Sequence, residues 1–565
     1  MFKDLGKINY LLKKSHTKFD LEQIHAGENY FDDFIIYKDK KKIKVYDRVC
    51  NHAGGKIITK RGENICPIHN WKFNPKTGLY LNGVKKKQHD FSISKNFLTL
   101  ERIKLTPSIK KLYTQKSKLS IRFFNHAFLS VLGEGYSFAT DPWAIGPAFN
   151  TGWWLKYKTK QDWIKNLKKC SFIYISHNHP DHLHPLTLSK IEKNKPIIVP
   201  NFITDSTGNF MESLGFTNVI RLKFDQQYNL EGTNLVLVIL KSGDFREDSG
   251  IYFSDSNFSC LFDVDSNMIN FERFPQVNLY ASSFAGGASG YPLMFENYNQ
   301  DEQTNILKKD KNFLKTKKIE YLKKIKPKFF LPYAGFFETK LKRDTRIKKF
   351  NQKNSINDYK EFCKKNNINL LNVEKNDYFL FHNGKLKNSK NINQKNYIDL
   401  KHDEYLNFYK KEYDKIDDKY VENYFKNSLF KDNLILYIVL TNDDFSPINK
   451  CYLVNFSKKP INFKKLSNFD PLKVLNKSKN KILILKIRKE SFLNTIYNKL
   501  PWEDLSIGFQ CKILRHPNEY NAKYWHHFTN IYITDKNVRV SSKCNSCIKL
   551  SEFFDQKTYQ SMDKV

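Results

Sequence analysis

Cys50 and His52, and then Cys66 and His69, form C-x-H and C-x-x-H pairs with 13 residues between them. Two thiolates and two imidazoles at that spacing can hold a [2Fe–2S] cluster, with the cysteines on one iron and the histidines on the other. Zinc is the rival occupant, because Cys₂His₂ is also a structural zinc set. Each pair sits where a tight turn is expected, and Gly54–Gly55 after the first pair lets backbone amides approach cluster sulfides. A second group follows an apolar, strand-like run, Phe172 to Ile175. His177, His179, Asp181 and His182 make H-x-H-x-D-H, with His184 just beyond. A strand that stops at Ser176 and turns sharply would bring three imidazoles and a carboxylate into one cleft. That donor set suits zinc, iron or manganese. His184, beside Pro185 where a helix is expected to start, reads as a bystander.

The elements that must position these residues differ along the chain. Residues 1–108 carry short alternating runs broken by Gly, Asn and Asp, the pattern of a small antiparallel β domain. A Lys- and Pro-containing stretch near Thr106 to Lys118 reads as a linker. From 119 to 345 strands alternate with Lys-rich amphipathic segments, which predicts layered sheets and helices. The stretch after residue 340 reads as a polar connector, and 346–565 as a mixed α/β extension. The expected fold is therefore multidomain α+β.

The first metal motif resembles the Rieske domains of oxygenases, without the extra loop cysteines of respiratory Rieske proteins. The second resembles the metal loop of the metallo-β-lactamase fold, an αββα sandwich. That resemblance implies a further acidic ligand at a later strand end, and Asp265 fits it better than Asp263. It also exposes two departures: Lys241 to Asp248 lacks the usual third-strand histidine, and Phe330 to Phe336 lacks the usual last one. Fewer protein ligands are therefore expected, with His126 either supporting the site or simply packed.

Together the two domains resemble the CMP-N-acetylneuraminate monooxygenase family, the CMP-sialic acid hydroxylases. Asp141 to Trp154, Phe284 to Pro292, Trp502 to Gln510 and Tyr524 to Phe528 carry the likeness. It implies hydroxylation of the N-acetyl group of a nucleotide-activated sialic acid, with O₂ and electrons from an external donor. That donor would be a ferredoxin, or a b-type cytochrome with its reductase. The implied cofactors are a Rieske [2Fe–2S] cluster bound by Cys50, His52, Cys66 and His69, and non-haem iron (zinc being possible) at His177, His179, Asp181, His182 and Asp265. His177, His179, Asp181 and His182 would carry the catalysis. A metal-dependent hydrolase of a phosphodiester or ester, with a regulatory Rieske domain, is the alternative.

Composition sets outer bounds. Lys+Arg 95 against Asp+Glu 58 gives +37, which suits an anionic substrate held in a basic cleft. Nucleic acid, acidic lipid and a phosphorylated small molecule are all anionic enough to qualify, and a compositional bias toward Lys and Asn along the whole chain is the plainer source of the excess; no nucleic-acid partner is expected. No apolar run reaches membrane-spanning length, no signal peptide is read at the N-terminus, and nine cysteines at low density fit a reducing cytoplasm. The lone Cys544/Cys547 pair reads as free thiols. Lys40–Lys42 and Lys85–Lys87 read as solvated turns. No dinucleotide-binding fingerprint is found, so NADH is not expected to bind directly.

Overall fold

The computed structural model describes residues 1–565 except 32, 41, 49–56, 61, 66–70, 82, 110–117, 203, 243–246, 267–268, 468, 476–479 and 530–565. Cys50, His52, Cys66, His69, Cys544 and Cys547 all lie outside the described residues.

Two eight-stranded sheets face each other at the centre. One runs, in spatial order, Phe2–Lys7, Gln226–Leu230, Leu235–Lys241, Ser249–Asp255, Phe258–Phe262, Leu279–Ser283, Phe329–Tyr333 and Asn369–Leu370. The other runs Val219–Leu222, Ile197–Pro200, Phe172–Tyr174, Tyr136–Thr140, Phe128–Gly133, Lys118–Asn125, Tyr378–His382 and Lys385–Lys390. Successive side chains on a strand point to opposite faces. Phe172, Tyr174 and Ile198 accordingly enter the core between the sheets. Ile173, Ile197 and Val199 face outward into a layer with Trp163, Leu167 and Met211 from helices. On the far face of the other sheet, Tyr321, Leu322 and Ile325 of the helix Gln300–Ile325 pack with Tyr359 and Cys363. Both sheets are thus covered on both faces, an αββα sandwich. This explains why their parallel strands read as unbroken apolar runs.

Among its described residues the N-terminal part is β apart from one short 3-10 turn, Leu21–Gln23, and forms three small antiparallel sheets. Its longest pairing joins Asn9–Asp20 to Phe97–Ser108. The expected linker therefore begins later than Thr106, since Thr106 to Ser108 still pair with Leu11 to Asn9. Lys86 is also no solvated turn residue. Its ammonium is buried and lies 2.8 Å from Asp47. The C-terminal part is a five-stranded mixed sheet, Asn462–Leu466, Pro447–Asn455, Leu434–Thr441, Lys481–Arg488 and Cys511–His516, packed on helices.

The sandwich takes strands from beyond both ends of the 119–345 stretch. Phe2–Lys7 pairs with Gln226–Leu230, and Tyr378–His382 pairs with Lys118–Asn125. Composition marks where a strand ends and says nothing of which sheet it will join. The stretch after residue 340 likewise corrects its reading as a polar connector. Arg343 is buried and reaches Asp443 and Glu490 at 2.7 Å each, and Asp344 is paired with Arg488 at 2.8 Å with neither side chain exposed. Charges removed from water persist when paired and hydrogen-bonded, so these residues pin the sandwich to the C-terminal sheet.

Candidate metal centre

The strand Phe172–Tyr174 ends two residues short of the expected stop at Ser176, and the chain then turns back: the amides of His182 and Leu183 both donate to the His179 carbonyl, at 3.0 and 2.8 Å. This compact turn gathers His177, His179, Asp181 and His182. Asp265 joins them, its Oδ2 lying 3.3 Å from His182 Nε2. Asp263 is directed elsewhere. Val264 takes φ 53, which breaks the strand alternation. Asp263 then accepts from Tyr280 at 2.5 Å and pairs with the buried Lys318 at 3.2 Å.

Two further residues complete the cluster. His126, in the turn between Lys118–Asn125 and Phe128–Gly133, places Nε2 at 3.0 Å from Asp181 Oδ2. Asp248 brings a carboxylate oxygen to 4.0 Å from His177 Nε2. The protein groups are more numerous than the missing histidines suggested. Three overlapping triads result: His126/Asp181/His182, His177/His179/Asp248 and His177/His182/Asp265.

The hydrogen bonds assign the imidazole tautomers. Ser176 Oγ donates to Asp141 Oδ2 at 2.8 Å and so accepts from His177 Nδ1, leaving His177 Nε2 as a lone pair facing the cluster. His182 Nδ1 donates to Asp141 Oδ2 at 3.1 Å, which turns His182 Nε2 inward. His179 Nε2 meets Glu503 Oε1 at 3.1 Å, which turns His179 Nδ1 inward, 2.8 Å from His177 Nε2. Metal-binding histidines are oriented in this way, by a carboxylate or other acceptor on the far nitrogen. Asp181 Oδ1 is buried with no hydrogen-bond partner, and the Asp181 and Asp265 carboxylates both approach His182 Nε2, at 3.3 Å each; buried anionic oxygens so crowded are costly unless a cation satisfies them. The donor set therefore fits a divalent metal.

Protonation follows the same geometry. Burial, then His182 and His179, hold His177 well below the usual histidine range. Burial also lowers His179, but Glu503 outweighs it and carries the group up to about 9. For His182, burial is outweighed by Asp181 and Asp265, and the group is raised. Burial raises Asp265, and His182 more than reverses this, to about 2. One buried centre thus holds carboxylates as anions beside imidazoles competing for protons, an arrangement a metal ion resolves. His184 stands apart. Its Nδ1 bonds Thr187 at 3.0 Å, its Nε2 bonds the Pro147 carbonyl at 3.1 Å, and burial lowers it to about 4.

Glu503 reaches the loop from 324 residues away because backbones approach closely at three glycines. A Cβ on Gly152 would lie 1.9 Å from the Gly508 carbonyl oxygen, and one on Gly290 would lie 2.3 Å from that of Ser506. A Cβ on Gly508 would meet the Phe149 oxygen at 2.3 Å. These contacts seat the short helix Glu503–Ile507 against the sandwich. Sequence reading missed Asp141, Asp248 and Glu503 as members of the site. Asp141 and Glu503 both sat within segments already singled out for their resemblance.

Beside the loop lies a cavity of about 740 Å³, shared with the C-terminal part and lined by Phe149, Asn178, Pro180, Phe408, Tyr409 and Asn494 among others. Phe149, Asn150 and Thr151 all take left-handed φ, at 50, 53 and 67. Asn150 Oδ1 is fixed by Tyr409 at 2.8 Å and Asn494 at 2.6 Å. Strained backbone of this kind persists where its surroundings hold it, often at ligand sites. The wall is not the expected basic cleft. Lys499 is the one lysine or arginine among its described lining residues, alongside Glu412 and Asp504.

Comparison with known proteins adds to this geometry. Residues 13–92 match the Rieske [2Fe-2S] domain family. The chain is 27% identical over 555 residues to the cytidine monophosphate-N-acetylneuraminic acid hydroxylase of Mus musculus, covering 90% of this chain and 94% of that protein. It is 28% identical over 576 residues to the Macaca mulatta protein of the same name, covering 93% and 95%. The chain resembles the CMP-N-acetylneuraminic acid hydroxylases along nearly its whole length. The Danio rerio hydroxylase matches at 27% identity over 88% of each chain. Among solved structures, Igni18, a metallo hydrolase from Ignicoccus hospitalis, aligns with TM-score 0.32 and 14% identity, over 47% of this chain and 98% of that one. CmlA, a diiron β-hydroxylase from Streptomyces venezuelae, aligns with TM-score 0.30 and 15% identity, over 49% and 55%. The chain is multidomain α+β: an N-terminal β part whose residues 13–92 match the Rieske [2Fe-2S] domain family, then an αββα sandwich and a mixed α/β extension.

Proposed function

We propose that this chain is a Rieske-dependent monooxygenase. Its reaction converts the N-acetyl group of CMP-N-acetylneuraminate, or of a related nucleotide-activated sialic acid, to N-glycolyl. One oxygen atom of O₂ enters the methyl C–H bond, and the other leaves as water with two electrons and two protons. The observation that carries this reading is a His/Asp cluster with inward lone pairs beside a 740 Å³ cavity, on a chain that also holds a Rieske domain. The similarity to the hydroxylases over about nine-tenths of the chain supplies the substrate class.

In this reading Cys50, His52, Cys66 and His69 hold the [2Fe–2S] cluster. Non-haem iron would be held by His177, His179, Asp181, His182 and Asp265, with His126 and Asp248 beside them. When bound, the iron would supply oxygen activation and the cluster single electrons. The protein's own part is positional. Asp141, Ser176 and Glu503 fix the imidazole tautomers, and burial of His177 and His182 keeps water from the reacting atoms. Phe149, Phe408 and Tyr409 offer faces for a base or sugar ring, while asparagine amides supply hydrogen bonds. The electron donor would be an external ferredoxin, or a b-type cytochrome with its reductase, in the cytoplasm. No helix among the described residues is long and apolar enough to cross a membrane. The units we assign are 1–108, 119–345 and 346–565, the sandwich borrowing strands from the first and last.

The test is anaerobic purification, iron and acid-labile sulfide analysis, and mass detection of product after adding O₂, a reductant and CMP-N-acetylneuraminate. One added oxygen atom, absent under argon, is expected. Hydrolysis of a phosphodiester or ester that proceeds under argon and survives Cys50→Ala would overturn the reading in favour of a hydrolase.

A further inference from the structure

A second cavity, about 340 Å³, opens on the other side of an aromatic wall from the metal cluster. Its lining includes Lys156, Lys348 and Lys353, with Asn351, Asn354 and Phe337. Phe337 stacks on Trp153, with ring centroids 3.5 Å apart and planes 6° from parallel. His126 of the metal cluster meets the edges of both rings. On Phe337 itself sits the Lys353 ammonium, 3.0 Å from the ring centre, and it donates to the Phe337 carbonyl at 2.5 Å.

The charges here do not balance. Glu374 is taken by Lys156 at 2.9 Å, and Glu338 is shared by Lys340 at 3.4 Å and Lys348 at 3.8 Å. Lys353 has a carbonyl and a ring, and no carboxylate at ion-pair distance among the described residues. A desolvated ammonium is costly unless it is paired. Burial drives Lys353 well below the ordinary lysine range. Glu338 raises it somewhat, and Lys156 pushes it down again. Two lysines repelling each other across one cavity are the arrangement an anion relieves. Asn351 and Asn354 line the same cavity, and each leaves Oδ1 buried without a donor. Those oxygens can accept hydroxyls.

We infer that this cavity binds a small hydroxylated anion, a sugar acid or sugar phosphate, whose carboxylate or phosphate sits between Lys353 and Lys156 while its hydroxyls donate to Asn351 and Asn354. The site is separate from the 740 Å³ cavity and does not rest on the activity proposed above. Its ligand presses on the Phe337–Trp153 stack, the partner of His126, so its occupancy is placed to be felt at the metal cluster.

Calorimetric titration of the full chain with N-acetylneuraminate, glucose 6-phosphate and inorganic phosphate tests this, the three probes separating a carboxylate from a phosphate and a sugar from a bare ion. At least one of the two sugar anions is expected to bind with a dissociation constant on the order of millimolar or tighter. Lys353→Met should weaken it at least about tenfold, the usual result of removing one partner of a desolvated charge pair. Phe408→Ala, in the larger cavity, should leave it unchanged. Should Lys353→Met fail to fold, Lys156→Met carries the test, since Lys156 is 44% exposed. The inference is overturned if neither sugar anion binds, if the lysine variants bind like the parent, or if Phe408→Ala alone abolishes binding.

Discussion

Glu503 is the sharpest place to test the metal centre, because it comes from a different part of the chain and touches one imidazole nitrogen. Its Oε1 lies 3.1 Å from His179 Nε2 and so turns His179 Nδ1 toward His177. Hydrogen bonds to charged groups contribute about 1.5–3 kcal/mol. Glu503 is 34% exposed, so solvent screening places this one near the lower end, about 1.5–2 kcal/mol. Glu503→Ala should therefore weaken metal binding about 10- to 30-fold, within the range seen when the partner of a metal-binding histidine is removed. Glu503→Gln keeps an acceptor oxygen but loses the charge, and should fall between Ala and the parent. Competition with a chelator of known affinity, using Fe(II) under argon, reads both. Circular dichroism should be unchanged, since close backbone contacts at Gly152 and Gly290 seat the helix Glu503–Ile507. A Glu503→Ala protein that holds metal within about twofold of the parent refutes the orienting role.

Cys66→Ser should abolish the visible absorption and acid-labile sulfide of a [2Fe–2S] cluster while leaving metal at the histidine loop, as measured by metal analysis. Asp263→Ala should leave metal binding intact yet lower stability by about 3–5 kcal/mol in denaturant titration, because it strands the buried Lys318 ammonium. Asp265→Asn should show the converse, weaker metal binding with little loss of stability. Asp310, on the helix Gln300–Ile325, is raised by burial to about 8. Its native state therefore binds a proton that the unfolded chain has already lost. That difference makes stability fall between about pH 4 and about pH 8. Asp310→Asn should flatten this slope, and the gain in Tm over the parent should be larger at about pH 8 than at about pH 5.

The core of the centre was legible because it is local. His177, His179, Asp181 and His182 fall within six residues directly after an apolar strand, so one tight turn is enough to cluster them. The four cluster-ligand candidates, Cys50, His52, Cys66 and His69, form two equally local pairs, and they lie outside the described residues. Asp265 was preferred over Asp263 because the resemblance asks for a carboxylate at the strand end and Asp263 sits deeper; the left-handed backbone at Val264 that sends the two carboxylates apart is not written in the residue types. Sheet membership was similarly hidden. Phe2–Lys7 and Tyr378–His382 look like strands, but which sheet they complete depends on edges formed by distant segments.

Residue type and short-range spacing determined by themselves the donor chemistry, the β character of the N-terminal part and the alternation of strands and helices around the metal loop, because each depends on neighbours a few positions apart. Tertiary structure alone decided which far-off carboxylates turn the imidazoles inward. It also decided that the larger cavity is walled largely by aromatics and amides, with one lysine among its described lining residues. Asp141, Asp248 and Glu503 carry no local signal of their own. Their places arise only when packing, at points such as Gly152 against Gly508, brings distant backbones together, so that Asp141 and Glu503 each fix a ring by a hydrogen bond and Asp248 comes to 4.0 Å from His177.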